Sequence, residues 1–125
     1  MPESSKIILI GNDTTLAYLI GRYAERSDHD VIILQNIPAI EEVRGLRPLA
    51  ILFSSLDGLE AAQTLVAGLA AHDILILVCS SLSDEVRARE LGADHYLPHP
   101  LTYDSFLTAL TTVKTSAKRD KTSNL

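Results

Sequence analysis

The stretch ELGADHYLPHPLT, residues 90–102, decides the fold class because it holds a helix end, a short strand and the next helix start. A helix that ends at Leu91 is followed by Gly92, and glycine readily takes the left-handed conformation found after a helix C-terminus. A short strand is predicted over residues 94–97, and Thr102 can cap the helix that follows. This order is typical of a chain in which strands and helices alternate.

The same alternation extends from this stretch towards both ends of the chain. Strands are predicted at 7–10, 31–34, 49–53, 74–79 and 94–97. The early strands are continuously apolar, which indicates that helices cover both faces of a parallel sheet. With right-handed crossovers, the chain is predicted to form an α/β domain with a doubly wound, five-stranded parallel sheet.

Five helices are predicted after the five strands, each with an apolar face at helical spacing. The first helix has Asp13 or Thr14 as its cap, and its apolar face holds Leu16, Leu19, Ile20 and Tyr23. The second covers 37–46 with Pro38 in its first turn, and the third covers 57–72. The fourth runs from a cap at Ser83 to Leu91, and the inward residues of the fifth are Phe106, Leu107, Leu110 and Val113.

Composition places the chain among globular proteins of the cytoplasm. It has 125 residues, 46% of them hydrophobic, which is enough for one domain with a core. The longest apolar stretch, 65–79, is interrupted by His72 and Asp73 and is shorter than the roughly 20 residues that cross a membrane. The single cysteine, Cys79, excludes an intrachain disulfide and a paired-cysteine metal site.

Charge divides the chain into two parts. Residues 1–113 hold seven Lys and Arg against fifteen Asp and Glu, a net charge of −8, whereas residues 114–125 carry +3. We expect residues 1–113 to form the domain and 114–125 to be a flexible basic tail or the start of a linker. A folded part at −8 repels phosphate backbones, so direct nucleic-acid binding by the domain is not expected.

Candidate site residues follow from the fold class. In doubly wound sheets, ligands bind outside the carboxyl ends of the strands. The residues at those ends are Gly11, Asn12, Asp13, Ser54, Cys79, Ser80 and His99.

Residues 5–114 resemble the receiver domain of bacterial response regulators. The resemblance is carried by ELGADHYLPHPL at 90–101, Arg47-Pro48 before strand three, DGLE at 57–60 and KIILI at 6–10. It implies a CheY-like, flavodoxin-like sheet with strand order 2-1-3-4-5.

The resemblance also assigns roles to the strand ends, and this chain departs from most of them. The family's Mg²⁺-binding acidic pair falls on Gly11 and Asn12, and its phosphoacceptor aspartate falls on Ser54. The phosphate-contacting hydroxyl falls on Cys79 or Ser80. The family's lysine falls on His99, and Pro100 keeps the proline that follows it.

These substitutions remove the chemistry of phosphorylation. Mg²⁺ prefers anionic oxygens, whereas Gly11 has no side chain and Asn12 offers a neutral amide. Ser54 would need a base to act as a nucleophile, and none is assigned. We therefore expect no cofactor, no metal and no enzymatic activity. Asp13 and Asp57 are the remaining weak metal candidates, and helix capping is the simpler explanation for both.

The fourth helix, fifth strand and fifth helix form the surface through which the family binds partners. Tyr96 matches the family's strand-five aromatic residue, whose rotamer changes on phosphorylation. The candidates on or near this surface are Val86, Arg87, Glu90, Tyr96 and Tyr103.

The sequence thus predicts a degenerate, or pseudo-, receiver that acts as a protein-interaction module in two-component or phosphorelay signalling. Its partner would be a sensor kinase, an output domain or another regulator, and a homodimer through the same surface is one option. One alternative is an atypical receiver phosphorylated at a substitute residue, Asp13 or Asp57 with Ser54. The other is a small-ligand-binding or nucleotide-binding flavodoxin-like protein.

Overall fold

The computed structural model describes residues 5–69, 72–80, 84–98 and 100–111. The predictions for Ser83, His99, Val113 and the segment 114–125 lie outside the described residues.

Five parallel strands form one sheet: β1 (Ser5–Ile10), β2 (His29–Leu34), β3 (Ala50–Phe53), β4 (Leu75–Ser80) and β5 (His95–Pro98). Their order in the sheet is β2-β1-β3-β4-β5, and every neighbouring pair is parallel. The predicted fold class and strand order are confirmed.

The helices are α1 (Thr14–Arg26), α2 (Ile40–Leu46), α3 (Leu56–Ala61), α4 (Gln63–Gly68), α5 (Glu85–Glu90) and α6 (Tyr103–Leu110). Within the described residues, none is long and apolar enough to cross a membrane. The predicted third helix is wrong as a single element, because the backbone turns at Ala62 (φ −103°, ψ 23°) and divides it into α3 and α4.

The start of the second helix is also corrected. It begins at Ile40 rather than at residue 37, with extended Ala39 as its N-cap. Pro38 explains the later start, because a proline disfavours the helical conformation at the residue before it. Ile37 therefore remains outside the helix and is exposed.

Side-chain caps fix where three helices begin. Asp13 accepts a hydrogen bond from the Leu16 N–H at 3.0 Å, and Thr102 accepts one from the Ser105 N–H at 3.1 Å, as predicted. The prediction that Asp57 caps the third helix is wrong. Ser55 is the cap, and its Oγ accepts from the Gly58 N–H at 3.0 Å. Asp57 lies in the first turn instead, where its charge favours the helix dipole.

Helices cover the sheet on both faces, which produces two apolar layers. One layer packs α2, α3, α4 and α5 against residues such as Ile8, Ile51 and Ile76. The other packs α1 and α6 against alternate residues of the same strands, such as Leu52 and Leu77. The expectation that the early, continuously apolar strands are covered on both faces is confirmed for β1 and β3, which are central. It is wrong for β2, an edge strand that is only partly buried, with Ile33 52% exposed.

A buried carboxylate fixes the edge strand β5 to β4. Asp94 is the only charged side chain in the core of the described part, with 5% of its surface exposed. Its Oδ2 accepts a hydrogen bond from the Ile76 N–H at 2.9 Å, and its own N–H donates to the Ile76 carbonyl at 2.7 Å. Gly92 has φ +102°, a conformation that glycine adopts without strain in the turn before this pair. A Cβ at this position would also lie only 2.8 Å from the Val66 side chain.

We predict that Asp94→Ala lowers the free energy of unfolding by about 1–3 kcal/mol, because it leaves the buried Ile76 N–H without an acceptor. Asp94→Asn retains an acceptor oxygen and should lose less. Urea denaturation measures both, with the exposed Asp30→Ala as the matched control. Equal losses in Asp94→Ala and Asp30→Ala would contradict this role.

Candidate functional site

Gly11 and Ser54 lie side by side where β1 and β3 end. The Gly11 N–H donates to the Leu34 carbonyl at 2.9 Å, and the Ser54 N–H donates to the Ile10 carbonyl at 3.0 Å. Both residues therefore continue the hydrogen-bond pattern of the sheet one step past its last paired residues, Ile10 and Phe53.

The Ser54 side chain fills the space that a side chain at position 11 would need. A Cβ built on Gly11 would lie 2.8 Å from the Ser54 Cβ and closer still to its Oγ. Gly11 also has φ +137°, a conformation that is open to glycine and strained for other residues. An acidic side chain at position 11 is thus excluded twice, by the backbone conformation and by Ser54.

The other strand-end residues bring little charge to this place. Asn12 and Asp13 are exposed, and one oxygen of Asp13 already accepts the Leu16 N–H. Cys79 is fully buried, and burial, followed by the nearby charge of Asp13, raises the pKa of its thiol to about 11. The thiol stays protonated at neutral pH and is a poor nucleophile, which agrees with its prediction as a core residue.

These residues do not fit the magnesium ion that receiver domains use. Gly11 provides no ligand, Ser54 provides a neutral hydroxyl, and Asp57 belongs to the exposed first turn of α3. Across residues 5–69, 72–80, 84–98 and 100–111, no three histidine, cysteine, aspartate or glutamate side chains converge as a metal site would require. The candidates Asp13 and Asp57 are not brought into such a group.

Tyr96 is buried, which corrects its prediction as a residue exposed on the partner-binding surface. Its ring is buried, and its hydroxyl donates to the Ser80 carbonyl at 2.8 Å. Burial is the main cause that raises the pKa of Tyr96, and the Asp84 carboxylate adds to it. The Ser80 hydroxyl donates in turn to Asp84 Oδ2 at 2.6 Å. Ser80 therefore joins β5 to the start of α5.

The remaining surface candidates face different neighbours. Val86 points outward with 72% of its surface exposed. Arg87 instead forms ion pairs with Glu60 of α3 at 3.1 Å and with Glu90 at 3.4 Å. Tyr103 lies against α1, with the Arg26 guanidinium 3.9 Å from its ring centroid. Of the five predicted surface residues, Val86, Arg87 and Glu90 are exposed residues of α5.

Sequence reasoning missed three residues beside Val86, namely Glu85, Arg89 and His95. Arg89 pairs with Glu85 at 3.4 Å along α5. Partial burial lowers the pKa of His95, Arg89 lowers it further, and Glu85 opposes the shift. The four-residue spacing of Glu85 and Arg89 predicts an ion pair along a helix. Their position next to His95 could not be predicted, because it depends on how α5 packs beside β5.

A small cavity of about 280 Å³ lies between α1 and the start of α6, near the Gly11–Ser54 pair. It is lined by Asp13, Thr15, Leu16, Leu19, Pro100 and Leu101. This volume is at the lower limit of small-molecule sites, which span about 300–1,000 Å³. The cavity therefore gives little support to the ligand-binding alternative at these strand ends.

Solved structures of similar fold are response regulator receiver domains. One is a response regulator from Burkholderia pseudomallei, solved with a phosphorylated aspartic acid, a calcium ion and citrate. It is 26% identical, with a TM-score of 0.68 over 94% of this chain and 73% of that one. A signal receiver domain from Bermanella marisrubri is 27% identical, with a TM-score of 0.65 over 85% of this chain and 94% of that one. The chemotaxis protein CheY4 of Vibrio cholerae is 14% identical, with a TM-score of 0.68 over 86% of this chain and 97% of that one.

No protein-family model and no curated protein matches the chain. The structural comparisons agree with the resemblance inferred from the sequence, because the chain has the receiver-type fold and the neighbours at 26–27% identity are response regulators or their receiver domains.

We predict that Gly11→Ala lowers the free energy of unfolding by at least about 2 kcal/mol, because the new methyl group is strained at this φ and collides with Ser54. Gly21→Ala, in α1 with open space around it, is the matched control and should raise stability by about 0.5–1 kcal/mol. Thermal or urea denaturation compares the two. A neutral Gly11→Ala would contradict the close packing.

Proposed function

We propose that this chain is a pseudo-receiver, a receiver-type domain that signals through protein contacts and accepts no phosphoryl group. In this proposal the domain catalyses no reaction, needs no cofactor and works in the cytoplasm, where its single thiol stays reduced. Its partner is a sensor kinase, an output domain or another regulator.

The packing of Ser54 over Gly11 is the observation on which the proposal depends. Phosphoryl transfer is accelerated mainly by cations that neutralise the transferred group, and in receivers that cation is held by carboxylates. Here the equivalent positions hold a glycine that tolerates no side chain and a serine that fills the space. A single substitution at position 11 cannot restore a carboxylate without moving Ser54.

The two remaining carboxylates give weak support to phosphorylation at a substitute residue. Asp13 caps α1, so one of its oxygens is already in use. Asp57 follows the cap Ser55 in the first turn of α3, at the exposed start of that helix. Neither position brings a second carboxylate to Ser54 for holding a metal ion.

The surface formed by Glu85, Val86, Arg89 and His95 is our proposed contact surface. It combines an exposed apolar side chain with both signs of charge at the edge of the sheet. Interfaces commonly have an apolar centre with a polar rim, and Val86 beside Glu85 and Arg89 has that composition. Since one copy presents both charges, a second copy of the chain offers complementary groups.

We predict no Mg²⁺-dependent phosphoryl adduct when the protein is incubated with acetyl phosphate and analysed by intact mass spectrometry. The same result is expected for Ser54→Asp, because an acceptor carboxylate alone does not rebuild the metal site. A receiver domain that is phosphorylated by acetyl phosphate, run in parallel, shows that the donor is active. A stoichiometric adduct on the wild type, mapped to Ser54, Asp13 or Asp57, would contradict the proposal.

We also predict concentration-dependent self-association through the proposed contact surface. Val86→Asp should weaken it, because the substitution places a charge at the apolar centre. Tyr18→Asp, at an equally exposed apolar position on α1, is the matched control and should have no effect. Sedimentation velocity measures both variants. A monomer at every concentration, or equal sensitivity to the two substitutions, would count against this surface.

A further inference from the structure

Two arginines stand apart from the other arginines of the described chain because they have no side-chain partner there. Four arginines are engaged: Arg22 with Tyr18, Arg26 with Tyr103, Arg87 with Glu60, and Arg89 with Glu85. The side chains of Arg44 and Arg47 make no hydrogen bond, ion pair or ring contact within the described residues, and both residues are exposed. Residues 1–113 carry a net charge of −8, so these two unpaired cationic side chains are available to an anionic ligand.

Arg44 and Arg47 line the same groove. Its volume is about 610 Å³, and it is lined by Glu41, Arg44, Gly45, Arg47, Pro48, His72, Asp73 and Ile74. Pro48 precedes β3 and Ile74 precedes β4, so the groove lies at the amino ends of the strands. It is therefore at the opposite edge of the sheet from Gly11 and Ser54, and it is independent of the receiver site.

The backbone holds Arg47 in an unfavourable conformation at this groove. Its φ of 52° and ψ of 56° are left-handed, a region that costs a residue with a side chain roughly 1–2 kcal/mol. The following Pro48 restricts Arg47 further, because a residue before proline prefers an extended conformation. Glycine would occupy this C-cap position without strain, yet the nearest glycine, Gly45, lies inside α2.

The groove has the composition of a small-molecule site. The groove is largely open to solvent, so its volume of about 610 Å³ includes a wide mouth, and a ligand there would bind against one wall and the floor. Pro48 and Ile74 provide a buried apolar floor, and the His72 ring lies at the wall. Two guanidinium groups match the oxygens of a phosphate, to which arginine donates in pairs.

We propose that this groove binds a nucleoside monophosphate, with Arg44 and Arg47 holding the phosphate. The Glu41 and Asp73 carboxylates at the same groove repel a bare anion, so the ligand must also offer hydrogen-bond donors. The hydroxyl groups of a ribose and the amino group of a base are such donors. The flat base suits the apolar floor formed by Pro48 and Ile74.

Titration of ¹⁵N-labelled protein with AMP, followed by two-dimensional NMR, tests the site. Saturable shifts are expected at the amides of Gly45, Arg47 and His72. Adenosine, which lacks the phosphate, and inorganic phosphate, which lacks the donors, should each bind at least about tenfold more weakly. Equal affinity for inorganic phosphate, or no saturable shift with AMP, would overturn the proposal.

Arg47→Gly separates ligand binding from fold stability. It removes the guanidinium and relieves the left-handed strain, so AMP affinity should fall by about ten- to a hundredfold while the urea midpoint rises. Arg22→Gln, which removes the same charge from exposed α1, is the matched control and should leave AMP affinity unchanged. Unchanged binding by Arg47→Gly, or an equal loss in Arg22→Gln, would overturn the proposal.

Discussion

The contact between Ser54 and Gly11 is the constraint on which the behaviour of this domain depends. Two neighbouring strands end there, and their backbones are fixed by hydrogen bonds to Leu34 and Ile10. With the backbones fixed, the space between positions 11 and 54 admits one side chain, and Ser54 occupies it. The φ of position 11 also favours glycine. The Ser54 side chain therefore fits only because position 11 has no side chain. An acidic side chain at position 11 therefore does not fit the packing of this edge of the sheet.

The rest of the sheet is held by contacts that do not involve Gly11 or Ser54. Asp94 fixes β5 to β4 through both hydrogen bonds with Ile76, far from any phosphate chemistry. Tyr96 and Ser80 connect β5 to the start of α5 through hydrogen bonds of 2.8 and 2.6 Å. These contacts hold β5 and the start of α5 in place next to the proposed contact surface.

The sequence predicted the features that are set by nearby residues or by burial between two helix layers. Continuous apolar runs predicted the buried central strands, and the side chains of Asp13 and Thr102 predicted two helix starts correctly. The break at Ala62 was not predictable, because the apolar spacing continues across it and the turn is set by packing against the sheet. The contact of Arg87 with Glu60 depends on how α5 packs beside α3, which no local pattern encodes. The resemblance to receiver domains located the candidate site. The contact between Ser54 and Gly11 could not be predicted, because the two residues are distant in sequence and meet only in the folded sheet.

A titration with Mg²⁺, followed through the backbone amides of ¹⁵N-labelled protein, tests the central claim most directly, because it reports metal binding without any phosphodonor. If Ser54 fills the former acidic site, Mg²⁺ should produce only small, non-saturating shifts at Gly11, Asn12 and Ser54, no larger than those at exposed acidic residues elsewhere on the domain. Saturable shifts concentrated on those three amides would show that the site still binds a divalent cation and would contradict the account.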